Sequence, residues 1–206
     1  MGQGAVVIRR RRQRRAAAAL SLLLFALAAP GIPARAMEFE VHGSEVWLSG
    51  HVVGDEYSQL LAILSSNPIK TVVFTYSTGG DANAGYNVGE LIRVRGLATV
   101  IRGSCASSCS RMWLGGVTRT LEGPNARVGL HGNYENGDLM PSAPARLRAW
   151  LPRFAPVDRQ LMERWIILPH NTEMMYFYND RAELCDHRAC TPIPGRNARN
   201  AGLTTN

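Results

Sequence analysis

A serine, a histidine and two glycine-bearing turns are the parts of this 206-residue sequence that could support bond-making chemistry. Gly103-Ser104-Cys105-Ala106-Ser107-Ser108 sets small residues around a serine where a strand is expected to pass into a helix. At such a helix start the local field favours negative charge, and the next amide can point toward the same oxygen. Upstream, Gly79-Gly80 allows a sharp turn with N–H groups free for an anion or a developing oxyanion. Downstream, His131 falls at the end of another expected strand, where it could take the serine proton. Each feature alone has an ordinary reading. A Gly-Gly pair is a turn, a helix-start serine a cap, and a strand-end histidine a solvated side chain. Their joint order is what points to a site.

The elements that must hold these residues follow from periodicity and turn chemistry. A strand at 45–50 (EVWLSG), preceded by a segment able to pair with it as a hairpin, leads into a helix over 55–66 with Asp55 as its cap. Residues 71–76 (TVVFTY) form an almost continuous β-branched and aromatic run, the pattern of a strand buried on both faces. Ser77-Thr78-Gly79-Gly80 then turns into a helix over 81–95, which Gly96 ends. A strand at 97–101, a helix at 107–114 and short strands at 118–121 and 127–131 come next. Helical stretches at 143–150 and 157–167 precede a polar tail, in which the aromatic-rich 174–178 reads as a late strand or an oligomer contact. Alternating strands and helices imply a single α/β domain of right-handed β-α-β units around a largely parallel sheet. In such sheets the site lies beyond the carboxyl ends of the strands, where both turns and His131 fall.

Three segments carry a resemblance to a known family. Ser77-Thr78-Gly79-Gly80 followed by Ala84-Gly85 resembles the Ser-Pro-Gly-Gly…Ala-Gly segment of the proteolytic subunit of Clp protease, ClpP. Gly103…Ala106-Ser107, with Leu114 and Gly116, resembles that family's Gly…Ala-Ala-Ser segment and the helix after it. Pro124-Asn125-Ala126-Arg127-Val128-Gly129-Leu130-His131 resembles its Pro-Asn-Ser-Arg-Val…His segment. The likeness covers roughly residues 45–131 and is nearer still to exported bacterial ClpP-like proteins with a Cys-Ala-Ser-x-Cys core.

The resemblance implies a ClpP/crotonase-type α/β fold and a serine hydrolase, a peptidase acting on peptides or proteins. Ser107 would be its nucleophile, His131 its general base, and the Gly80 and Ser108 amides its oxyanion hole. Ser104 and Ser108 are neighbouring serines, but the match to Ala-Ser puts the role on Ser107. No cofactor, metal or ATPase partner is implied; self-association is, since members of the family are often rings. The acid expected after the last long helix falls near Met174, which cannot orient an imidazole. Glu173, Asp180 and Asp158 are the substitutes, or the pair works as a dyad. An orienting acid can be worth about 10⁴ in rate, so the point matters. The only lysine, Lys70, precedes strand 71–76 at the end away from the turn, which sets a serine–lysine dyad aside. A crotonase-type acyl-CoA enzyme would also use two backbone amides, but it has no need of a serine and histidine at this spacing. A non-catalytic member of the fold, a binding or scaffold module of the cell envelope, is the alternative from a different class.

Charge and cysteines bear on where the protein works. The formal net charge of +7 equals the seven arginines of residues 1–36, a segment without acidic residues, so the rest is formally neutral. Nucleic-acid binding by the domain is therefore not expected. The arginines precede an apolar stretch of 14 residues, 16–29, and then the small-residue pattern Ala34-Arg35-Ala36. That is the layout of a secretory signal cut after Ala36, leaving a mature domain of 37–206 that is periplasmic or secreted. The apolar run falls short of the roughly 20 residues that span a bilayer; an uncleaved inner-membrane anchor is the alternative. Export would place Cys105, Cys109, Cys185 and Cys190 where disulfides persist. Three pairings are open, and closeness in sequence favours 105–109 with 185–190. Zinc binding and a redox-active thiol at Cys105 or Cys109 are the other readings, although neither pair has Cys-x-x-Cys spacing.

Overall fold

β-branched runs alternating with amphipathic segments build a nine-stranded sheet in the computed structural model, which describes Met1 and residues 35–205. The expected leader lies, apart from its ends, outside the described residues. Strands β1 (Glu38–His42) and β2 (Glu45–Val52) form the anticipated antiparallel hairpin. Helix α1 (Glu56–Ser66), strand β3 (Thr71–Gly80), helix α2 (Ala82–Val94), strand β4 (Ala98–Ala106) and helix α3 (Ser108–Leu114) come next. Then come β5 (Arg119–Leu121), β6 (Arg127–Leu130) and a small separate hairpin of β7 (Tyr134–Glu135) and β8 (Asp138–Leu139). Helices α4 (Ala143–Trp150) and α5 (Arg159–Trp165) precede β9 (Met174–Phe177), β10 (Ala182–Cys185) and β11 (Cys190–Pro192).

Strands β2, β3, β4 and β6 run parallel, so the expected α/β class with a largely parallel sheet is what the chain adopts. The edge of β4 is shared: β5 pairs with its start, Thr99 opposite Arg119, and β6 with its end, Ala106 opposite Gly129. Antiparallel strands extend the sheet on both flanks, β1 beside β2, and β9, β10 and β11 beyond β6. Helix α2 packs on α3, and α3 on β3 and β4. The α2–α3 contact is close because Gly85 has no side chain; a Cβ there would lie 2.5 Å from the Ser108 carbonyl oxygen. Among the described residues, no helix is long and apolar enough to cross a membrane.

Three expectations are corrected. The turns at 77–80 and 103–106 are strand ends, because their backbone continues to pair: Val52 lies opposite Gly80, and Ser77 opposite Cys105. Asp55 makes no side-chain cap to α1. The fully buried Glu56 carboxylate does the equivalent work for the preceding turn, accepting from the Val53 and Gly54 amides at 2.6 and 2.9 Å. Strand β9 falls on the late strand expected at 174–178, but the rest of the region read as a polar tail adds β10 and β11 and then buries Ala198, Ala201 and Leu203 completely. Its strands are short and its anchors are largely backbone groups, such as the Leu203 carbonyl that accepts from Arg119 Nε at 2.7 Å, so composition did not reveal them. Leu203→Ala should lower unfolding stability by about 2–4 kcal/mol in a denaturant titration, the range for truncating a buried leucine. A loss within error would mean that the C-terminal segment is not packed as described.

Candidate active site

The nucleophile candidate sits where β4 gives way to α3. Ser107 has φ 56° and ψ −125°, left-handed backbone in a non-glycine residue. Such a conformation costs about 1–3 kcal/mol and persists only when its surroundings hold it. Here the Ser107 amide donates to the Gly129 carbonyl at 3.0 Å, tying the turn to β6. The buried Cys105–Cys109 disulfide bridges the residues on either side of the turn. Gly79, at φ 88°, presses its backbone against the serine; a Cβ there would lie 2.6 Å from Ser107 Cβ and 2.9 Å from the Ser108 nitrogen. Ser107 makes no side-chain cap to α3, so its hydroxyl is left for another partner.

That partner is His131, which directly follows β6. Its Nε2 lies 2.7 Å from Ser107 Oγ, and its Nδ1 lies 3.2 Å from the backbone carbonyl oxygen of Glu173. A carbonyl can only accept, so Nδ1 carries the proton and Nε2 is the acceptor for the serine hydroxyl. This is the tautomer a general base needs. Burial pushes the imidazole pKa down to about 3, with the Arg111 charge adding to the depression and the Glu173 carbonyl opposing it. Arg111 is itself buried and donates from Nη2 to the His131 and Gly132 carbonyls and to Asn133 Oδ1. The Tyr134 ring packs 4.6 Å from the imidazole.

None of the three carboxylates named as substitutes for the missing acid performs that task. The Glu173 side chain accepts from the His170 amide at 3.2 Å, and only its main chain meets His131. Asp158 caps α5 through the Leu161 amide and pairs with Arg196 at 3.0 Å. Asp180 pairs with Arg181.

A cleft of about 450 Å³ opens over the pair, lined by Gly80, Asp81, Ser107, His131, Tyr134 and Met140 among others. Gly80 thus reaches the cleft, at φ 146°. Ser108 is fully buried and does not line it, and the Gly79 backbone covers its amide. Lys70 precedes the opposite end of β3, away from the cleft. Both cysteine pairs are joined locally, 105–109 and 185–190, with no free cysteine among the described residues. Glu183, Cys185 and Cys190 cluster closely, but the two sulfurs are bonded to each other and offer no thiolate to a metal.

Arg111, Tyr134, Asn133 and the Glu173 carbonyl were not anticipated. Arg111 left one trace, a lone charge within the otherwise uncharged helix SCSRMWL. A carbonyl leaves none.

Among solved structures, the chain is similar to a protein described as an enoyl-CoA hydratase from Streptomyces coelicolor A3(2). The identity is 15% and the TM-score 0.45, over 89% of this chain and 70% of that one. It is also similar to a mutant of 1510-N, a membrane-bound stomatin-specific protease, at 15% identity and a TM-score of 0.46, over 77% and 75%. No protein-family model and no curated protein matches the sequence.

The depressed histidine has a consequence for stability. Unfolded His131 takes up a proton near its ordinary value of 6.5, folded His131 only near 3. Between those values the unfolded state binds more protons, so stability is lost as pH falls through the window. His131→Gln should flatten that part of the stability–pH curve, followed by thermal melts at stepped pH. Parallel curves for the two proteins would refute the neutral buried imidazole.

Proposed function

We propose that this protein is an exported, ATP-independent serine hydrolase that cleaves peptides. The observation that carries the reading is the 2.7 Å contact between Ser107 Oγ and His131 Nε2, with Nδ1 engaged by a carbonyl. Ser107 Oγ attacks the scissile carbonyl carbon while its proton passes to His131 Nε2. The new imidazolium keeps its Nδ1–H on the Glu173 carbonyl. The family likeness assigns the oxyanion to the amides of Gly80, a residue that lines the cleft, and of Ser108, which follows the nucleophile at the start of α3 but lies under the Gly79 backbone. His131 returns the proton to the leaving amine, and water then releases the acyl group by the same steps.

Electrostatics sets the rate of this cycle. Buried Arg111 disfavours the imidazolium, and no carboxylate compensates it, so the developing oxyanion is its principal counter-charge. Turnover is expected to be slow beside a full triad, for which the orienting acid is worth about 10⁴. Peptides suit a long trough: a second cleft adjoins the first, sharing Thr78, Asn171 and Met174. Export is supported by the leader pattern and by two disulfides, which persist in oxidising compartments. The family likeness in residues 45–131 makes a homo-oligomer the expected assembly. The depressed imidazole also favours a second reading, a binding module that retains the crevice without turnover.

A fluorophosphonate probe separates the two, since it needs an activated serine but no known substrate. Wild-type protein should be labelled, with at least a hundredfold loss in Ser107→Ala and in His131→Ala, the scale of a general base and its nucleophile. Folded wild type that takes up no label would leave the binding module as the function.

A further inference from the structure

The second cleft, of about 250 Å³, holds a cation that the hydrolytic cycle does not use. This is Arg127, the first residue of β6. Residues two apart on a strand share a face, so Arg127 and His131 project to the same side, about 13 Å apart along the chain. Arg127 is held by neutral groups. Its Nε donates to Ser104 Oγ at 3.2 Å, its Nη1 donates to the Tyr178 hydroxyl at 3.0 Å, and its guanidinium lies 4.4 Å from the Tyr176 ring centre.

Among the described residues no carboxylate contacts Arg127 directly, although the Glu183 charge acts on it at longer range, and its Nη2 has no acceptor. The two carboxylates nearby make their hydrogen bonds and ion pairs with other groups. Glu183 pairs with Arg181 at 2.9 Å and meets the Tyr178 hydroxyl at 3.5 Å. Asp186, which lines the same cleft, turns Oδ1 to the Arg188 and Ala189 amides at 2.6 and 2.8 Å. Ser104 Oγ, already accepting from Arg127, keeps its own proton to donate. A guanidinium edge and a hydroxyl, both oriented and both facing a small cleft, form a receptor for a carboxylate.

We propose that Arg127 makes this cleft a carboxylate-binding subsite, and that the protein selects peptides with an acidic group a few residues from the bond at Ser107. The selection of substrates rests on the hydrolase reading; the binding of the carboxylate does not. The carboxylate belongs either to an acidic side chain or to a peptide C-terminus.

Binding can be measured without turnover in the full chain carrying Ser107→Ala. The probes are fluorescent alanine-rich hexapeptides with Glu or Gln at each position in turn, each as free acid and as C-terminal amide. At one position, or at the C-terminus, the acidic form should bind about tenfold or more tightly than its neutral isostere, as befits a charge-assisted hydrogen bond. A Glu/Gln difference assigns the subsite to a side chain, and an acid/amide difference to the C-terminus. Adding Arg127→Gln should bring the ratio near unity, and Arg127→Lys should keep part of it, with circular dichroism confirming that each variant is folded. Equal affinities with Arg127 in place, or no binding at millimolar peptide, would overturn the subsite without any need of the Arg127 variants. A ratio that survives Arg127→Gln would do the same. Because Ser107 is absent throughout, a failure of fluorophosphonate labelling does not alter any of these outcomes.

Discussion

The pairing of β4 with β6 is the constraint on which the site depends. Ala106 stands opposite Gly129, and the next amide, that of Ser107, donates to the Gly129 carbonyl. Because the strands are parallel, they end on the same side of the sheet, and the residues just past the two ends are brought together. Ser107 lies past one and His131 past the other, which is how residues 24 apart in sequence come within 2.7 Å. The chain must leave this contact at once to begin α3, and it does so through a left-handed residue. Gly79, the Cys105–Cys109 bridge and the Gly129 hydrogen bond all bear on that single reversal.

A second theme is the use of buried or half-buried arginines without carboxylates. Arg119 donates to the carbonyls of Leu203, Gly116 and Phe154, and Arg93 to those of Leu114 and Phe154. Burial is costly to a cation, and it draws the Arg119 pKa down to about 10, with the Arg93 charge contributing. Hydrogen bonds to several carbonyls offset that cost and bind distant segments together: the C-terminus, the connection after α4 and the end of α3. Arg111 follows the same pattern beside the candidate active site, gathering the chain from His131 to Asn133. The result is a fixed positive charge beside His131 that opposes a resting imidazolium.

Residue types made the central pair legible. A serine flanked by small residues after a buried strand, a Gly-Gly end to the preceding strand and a histidine closing a later strand are local patterns, and local patterns survive in sequence. The cysteine pairing was legible for a similar reason, since each bridge closes over only four or five positions. The strand boundaries at 77–80 and 103–106 were misjudged because glycine and serine mark turns in isolation, whereas here neighbouring strands supply partners for their backbone.

The sequence by itself determined the α/β alternation, the serine and histidine, and the absence of an acid at Met174. Tertiary structure alone decided what His131 Nδ1 meets instead. Antiparallel pairing of β9 with β6, Leu130 opposite Met175, carries the Glu173 carbonyl to His131 Nδ1. Every residue has a carbonyl, so no letter in the sequence could mark this one. Its role comes from the register of two strands far apart in the chain, and register is set by packing and long-range hydrogen bonds.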